Sequence, residues 1–184
     1  MKKLFLSLAV IAATLSASAQ TKTTTTSPFR VSLGVDAVAP FGNLADVTPF
    51  GIGGSLQGDY NVDPTLALTL SAGYIDFLGK SQTYTYPGVG NVTVKNPDFG
   101  LIPVLAGIKY SFTPQVYASA QLGVAFSTKK NGGSNFTYAP GIGYKFSENF
   151  DILAKYTGYS VKNSGSGNNN TSLNTAGVRL AYTF

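Results

Sequence analysis

Phe29-Arg30-Val31-Ser32-Leu33-Gly34-Val35-Asp36-Ala37 alternates in polarity at nearly every step. In an extended strand successive side chains point to opposite faces. One face then carries Phe29, Val31, Leu33, Val35 and Ala37. The other carries Arg30, Ser32, Gly34 and Asp36, so both charges share the polar face. The pattern continues downstream with no 3.6-residue helical period. It predicts an all-β chain of eight strands over 29–37, 50–61, 66–77, 101–112, 116–126, 136–146, 150–159 and 175–184.

The connections between these strands alternate in length. Residues 38–49, 78–100, 127–135 and 160–174 are long; 62–65, 113–115 and 147–149 are short. In an up-and-down antiparallel sheet the long loops then gather at one end and the short turns at the other. The strands running toward the short turns end on aromatic residues. Examples are Asp59-Tyr60, Lys109-Tyr110-Ser111-Phe112, Tyr144-Lys145-Phe146 and Arg179-Leu180-Ala181-Tyr182-Thr183-Phe184.

Composition narrows the chemistry. The 184 residues are 43% hydrophobic and only 11% charged, against roughly 25% charged in ordinary soluble domains. The chain has no Cys and no His. A disulfide frame, a thiolate metal site and an imidazole base or ligand are therefore excluded. Acids at 46, 76 and 98 are isolated in sequence, whereas a paired-carboxylate mechanism needs two within ~5–10 Å. No metal, cofactor or enzymatic activity is expected. The basic pair Lys129-Lys130 reads as a loop, and no basic face suits nucleic acid.

Residues 1–19 read as a signal peptide: Lys2 and Lys3, an apolar stretch over 4–15, then Ala17-Ser18-Ala19, with cleavage between Ala19 and Gln20. The apolar stretch falls short of the ~20 residues a spanning helix needs. Residues 20–28, rich in Thr, form a flexible lead, and 29–184 form the folded domain.

Almost all strand charges fall on the polar face: Arg30, Asp36, Asp59, Lys109, Lys145, Asp151, Lys155 and Arg179. Asp76 is the exception, in phase with Leu66. Otherwise this face holds small residues rather than the Lys/Glu-rich surface of a soluble protein. A soluble β-sandwich or lipocalin-like barrel alternates too, with its apolar set inside. A secreted barrel binding a small apolar ligand stays open on that ground. Pro103 and Pro140 disturb the strands; both are expected near the long-loop end, at bulges or above a membrane. Leu101, Leu105 and Leu153 fall on the polar, inward face.

With these features, the chain over 29–184 resembles the small eight-stranded outer-membrane barrels, the family of the OmpA transmembrane domain, OmpX and porin-like proteins. The resemblance rests on the alternating strands, the loop order and the ending Tyr182-x-Phe184, which looks like the signal read by the barrel-insertion machinery. Arg179 stands where that signal usually has glycine, and Gly177 lies two residues earlier. The resemblance implies an eight-stranded antiparallel up-and-down transmembrane β-barrel. It would be a monomer in outer-membrane lipid of a diderm bacterium, with its short turns in the periplasm.

An eight-stranded barrel is just wide enough for its own side chains to fill it. Buried charges must then pair. Neighbouring strands suggest Arg30 with Asp59, Asp36 with Arg179 and Asp151 with Lys145. Lys109 and Lys155 lack an obvious partner. A filled interior gives a structural or surface-interaction protein; a passage past those lysines gives a narrow porin for ions or small solutes. The loop 79–98 holds two strand-like runs around Pro87-Gly88-Val89-Gly90. It predicts a hairpin extending the third and fourth strands outward, with an edge that could meet a surface partner.

Overall fold

The computed structural model describes residues 28–184, except 46–47, 87–89, 130–131 and 162–170. The expected signal peptide, its Ala19/Gln20 cleavage site and most of the lead lie outside the described residues. So do Asp46, Lys130 and most of the last long loop.

The strands are β1 (Phe29–Phe41), β2 (Phe50–Asn61), β3 (Leu66–Leu78), β4 (Ser81–Tyr86), β5 (Gly90–Lys95), β6 (Phe99–Ser111), β7 (Val116–Ser127), β8 (Ser134–Lys145), β9 (Phe150–Val161) and β10 (Thr171–Thr183). Eight of them close an antiparallel barrel in the order β1-β10-β9-β8-β7-β6-β3-β2, and β4 and β5 pair as a separate two-stranded sheet. Closure leaves no edge in the barrel itself.

The strands reach further toward the long-loop end than the sequence suggests. β1 continues past Ala37 to Phe41 because β10 keeps pairing with it, through Pro40↔Thr175 and Phe41↔Asn174. Its pairing with β2 stops at Val38↔Gly51. Pro40, which has no N–H to give, therefore sits where β1 has a neighbour on one side only.

Neither Pro103 nor Pro140 makes a bulge. β3 and β6 hold one register from Ala72↔Val104 to Ile75↔Leu101, losing only the pairings between. β8 and β9 do the same from Tyr138↔Gly158 to Gly141↔Lys155. On their other side both prolines stay in the ladder, as Pro103↔Ala125 and Ala120↔Pro140. Each missing N–H thus opens one seam locally without shifting the strand. Pro140 lies mid-strand, not near the long-loop end as expected.

The barrel is apolar outside and polar inside. Val35, Leu70 and Ile142 are each at least 60% exposed, whereas Ser32, Asp36, Gln57, Thr69, Gln121 and Arg179 are buried. Leu101, Leu105 and Leu153 do point inward and are buried. A soluble barrel needs the reverse arrangement, and this distribution overturns that alternative. At the short-turn end Tyr60, Tyr110, Phe112, Tyr144, Phe146, Phe150, Tyr182 and Phe184 all face outward. The last of them touch in series: Phe146 stacks on Phe150, Phe150 meets Tyr182 edge-on, and Tyr182 meets Phe184. This is an aromatic belt of the kind found where barrels meet a membrane interface.

The β2–β3 turn shows how a short connection is fixed. Asp63 accepts hydrogen bonds from the Thr65 hydroxyl, the Thr65 amide and the Leu66 amide at 2.7, 2.7 and 2.8 Å. The Thr65 hydroxyl bond first, then the two amides, hold its carboxyl below the usual carboxylate range. A lowered folded value means that the turn's contribution is complete above the ordinary carboxylate pKa and fades as pH falls through the lowered one. Asp63→Ala should therefore lower the urea midpoint at neutral pH, and the gap to wild type should close in strong acid. A gap unchanged by pH would contradict this.

Candidate functional site

The inward side chains form layers, and their contacts differ from nearest-neighbour pairing. Asp36 and Arg179 face each other across β1 and β10. Yet Asp36 takes its ion pair from Lys155 of β9, Nζ to Oδ1 at 2.5 Å. Its other oxygen accepts from Ser55 Oγ, also at 2.5 Å. Arg179 donates from Nε to Ser55 Oγ at 2.8 Å and from Nη2 to Ser32 Oγ at 3.1 Å. Ser55 thus links carboxylate and guanidinium. Gly34 makes room for Arg179, since a Cβ there would lie 2.5 Å from its Nε.

Toward the short turns, Asp59 pairs with Lys109 of β6 at 2.7 Å. Gln57 Nε2 donates to the other Asp59 oxygen at 2.7 Å. Gln121 Nε2 donates to Thr69 Oγ1 at 3.1 Å, close to Gln57. Asp151 accepts from the Tyr117 hydroxyl at 2.5 Å. Lys109 lies 4.4 Å from the centre of the Tyr117 ring, and Lys145 lies 5.9 Å from it.

Several expectations are corrected here. Lys109 and Lys155 both have carboxylate partners. Arg30 stands opposite Asp59 in the ladder, but its Nη2 donates to the Glu148 carbonyl at 2.8 Å. Lys145 stands opposite Asp151, but Tyr117 takes that carboxylate. The three strong contacts, Asp36–Lys155, Asp59–Lys109 and Tyr117–Asp151, each step over one intervening strand. The strand stepped over carries a small residue beside a long side chain: Gly177 opposite Lys155, Ala67 opposite Lys109 and Gly143 opposite Tyr117. A Cβ on Gly143 would strike the Tyr117 ring. Tyr117 went unnoticed in the sequence, although its phase with Ser119 and Gln121 marks it as inward.

Between these layers lies a cavity of about 20 Å³, lined by Asp36, Gln57, Gln121 and Arg179 among others. That holds about one water. At the long-loop end the interior turns apolar. Val38, Ile75, Phe77, Leu101, Ala125 and Tyr159 form a buried cluster with Leu44. Leu44 comes from a 3-10 turn, Gly42–Leu44, that follows β1. Gly42 has φ of +64°, a left-handed conformation that glycine adopts without strain. Thr48 anchors the returning loop by donating to the Leu78 carbonyl at 2.6 Å. At the short-turn end the barrel opens instead into a cup of about 490 Å³.

Above the long-loop end stands the β4–β5 hairpin, paired from Ser81↔Lys95 to Tyr86↔Gly90. Its base is fastened by Asn96 N–H to the Lys80 carbonyl at 3.0 Å and by Gly79 N–H to Asp98 Oδ1 at 2.7 Å. It lies between β3 and β6 in the chain and pairs as its own sheet, not as the expected continuation of their ladder. Among the described residues each hairpin strand pairs only with the other.

An inside-out eight-stranded barrel with an aromatic belt can be compared with known proteins on its architecture. The family described as outer membrane protein beta-barrel domain matches residues 5–184. The chain belongs to this family. Solved structures agree in fold. Ail, the attachment invasion locus protein of Yersinia pestis, superposes with a TM-score of 0.54 at 15% identity, over 85% of this chain and 97% of that one. The N-terminal β-barrel domain of Pseudomonas aeruginosa OprF gives 0.51 at 18% identity, over 84% and 97%. Neisserial surface protein A gives 0.50 at 16%, over 86% and 98%. No curated protein matches by sequence. In this outer-membrane barrel the exposed apolar face is thus the membrane-facing one, and Tyr182 and Phe184 belong to its belt.

Proposed function

We propose that this barrel is a non-enzymatic structural protein of the outer membrane, with a closed interior and a surface-interaction role carried by the β4–β5 hairpin. The observation that carries the reading is a two-stranded sheet separate from the barrel ladder, with both outer edges unpaired among the described residues. Such edges accept a strand from another chain, with backbone hydrogen bonds giving affinity. The filled mid-barrel space and the apolar cluster beneath Leu44 support a closed interior. One fold neighbour, Ail, bears the name of an attachment and invasion protein. Export by a cleaved signal peptide, insertion through a machinery that reads Tyr182 and Phe184, and a monomeric state in the outer membrane of a diderm bacterium complete the reading. Deleting residues 84–92 should weaken attachment of cells carrying the protein to their partner surface while leaving the heat-dependent shift on a detergent gel unchanged. Unchanged attachment would remove the hairpin from the function.

A narrow porin is the second reading. The cup reaches inward to the Asp59–Lys109 pair, so a passage would need only the inner layers and the apolar cluster to part.

A further inference from the structure

We propose that the membrane-facing side of the barrel binds one acyl chain of an outer-membrane lipid, and that this chain carries a hydroxyl. The site is a groove of about 940 Å³ across the outer face of β7, β8, β9, β10 and β1. Its floor is mostly alanine. In one row of successive ladder partners Ala118, Ala154 and Ala37 alternate with Ile142 and Val178. The next row toward the long loops holds Pro140, Tyr156 and Ala176. On that side Tyr138, Tyr156 and Phe41 form a wall, their rings in contact at centroid separations of 5.9 and 5.6 Å. Five strands spaced ~4.8 Å apart make the groove about 19 Å long. That accommodates one chain of a leaflet, which spans about half of the ~30 Å hydrocarbon core.

The backbone at Pro140 points to the hydroxyl. Antiparallel partners alternate between hydrogen-bonded and non-bonded positions. The Phe146 N–H donates to the Phe150 carbonyl. Counting by twos in the same register makes Pro140 and Tyr156 a bonded position, and there the ladder lapses. Pro140 has no N–H, so the Tyr156 carbonyl lacks its ladder donor. It lies mid-strand on the membrane-spanning wall, where backbone polar groups left without partners are costly. Both residues line the groove. Pro103 leaves the Gly73 carbonyl in the same state, but those two residues line the small internal cavity, which has room for a water. Tyr156 faces the lipid side instead. A plain hydrocarbon chain fills the groove and donates nothing; a hydroxylated chain does both. A second barrel would set one hollow against another across a two-fold axis and leave the space between them unfilled.

The test uses the refolded, isotope-labelled barrel in phospholipid nanodiscs. Amide shifts are followed while β-hydroxymyristate or myristate is added to the bilayer. Saturable shifts confined to the groove, at Ala154, Tyr156 and Ala176, are expected. The hydroxylated acid should saturate them at a mole fraction about threefold to tenfold lower, the worth of one net hydrogen bond. Pro140→Ala gives the Tyr156 carbonyl a backbone donor and should erase that preference while myristate still binds. Ala154→Leu fills the floor and should abolish saturation by both acids. Ala176→Leu serves as an independent variant should either of these fail to give the heat-shifted folded form. Shifts that do not saturate or that spread around the whole barrel, equal mole fractions for the two acids in the wild type, a preference that survives Pro140→Ala, or cross-links joining two copies through the groove would each overturn the proposal.

Discussion

Asp36→Ala should cost the barrel about 3–5 kcal/mol, the penalty for leaving a buried charge without its partner. Asp36 is 1% exposed and is the only carboxylate bonded to Lys155 among the described residues. Its loss would leave Lys155 and Arg179 in one buried layer with only Ser55 and Ser32 to bind. The measurement is the urea midpoint of folding into lipid vesicles. The double variant Asp36→Ala with Lys155→Met should recover a large part of the loss, because both halves of the pair are then gone. A single-variant loss under about 1 kcal/mol, the range of exposed pairs, would contradict the assigned network.

Leu122→Arg tests the outer face. Leu122 sits mid-way along β7 and is 58% exposed. On a soluble protein, a charge at so open a position would change stability by no more than ~0.5 kcal/mol. On a membrane-facing strand near the midplane it should cost about 2–4 kcal/mol. The same vesicle assay reads it, with Gln115→Arg, exposed in a short turn, as the control expected to be silent. Equal effects at both positions would place Leu122 outside the hydrocarbon.

Much of this was legible because a strand's period of two leaves little freedom. Once Arg30 and Asp36 share a face in β1, the phase of the strand is set, and the short turns set the register of its neighbours. β2 runs over the predicted 50–61, and the turn 62–65 falls where Asp63 and Pro64 place it. Strand ends at the long-loop side were less legible. There β1 continues on its pairing with β10 and β10 on its pairing with β9, and local sequence does not encode a neighbour's length. The prolines misled for a related reason: a lost N–H needs only one seam to open, and the other neighbour keeps the register.

Charge pairing was the least legible part. Reasoning from adjacent strands assigns Asp36 to Arg179 and Asp151 to Lys145. Inside a narrow closed barrel, long side chains from next-nearest strands converge, and Gly143, Gly177 and Ala67 let them pass. The signal was present as small residues opposite Tyr117, Lys155 and Lys109, but reading it requires the curvature of the closed sheet.

The central claim is that the interior is closed. Single-channel recording in planar bilayers tests it most directly, on protein whose insertion is verified by its heat-dependent gel shift. The Asp36–Lys155–Arg179 layer and the cluster beneath Leu44 predict no conductance steps from verified barrels. Reproducible steps whose ion selectivity changes in Lys109→Gln or Lys155→Gln would contradict the account and make those lysines the lining of a pore.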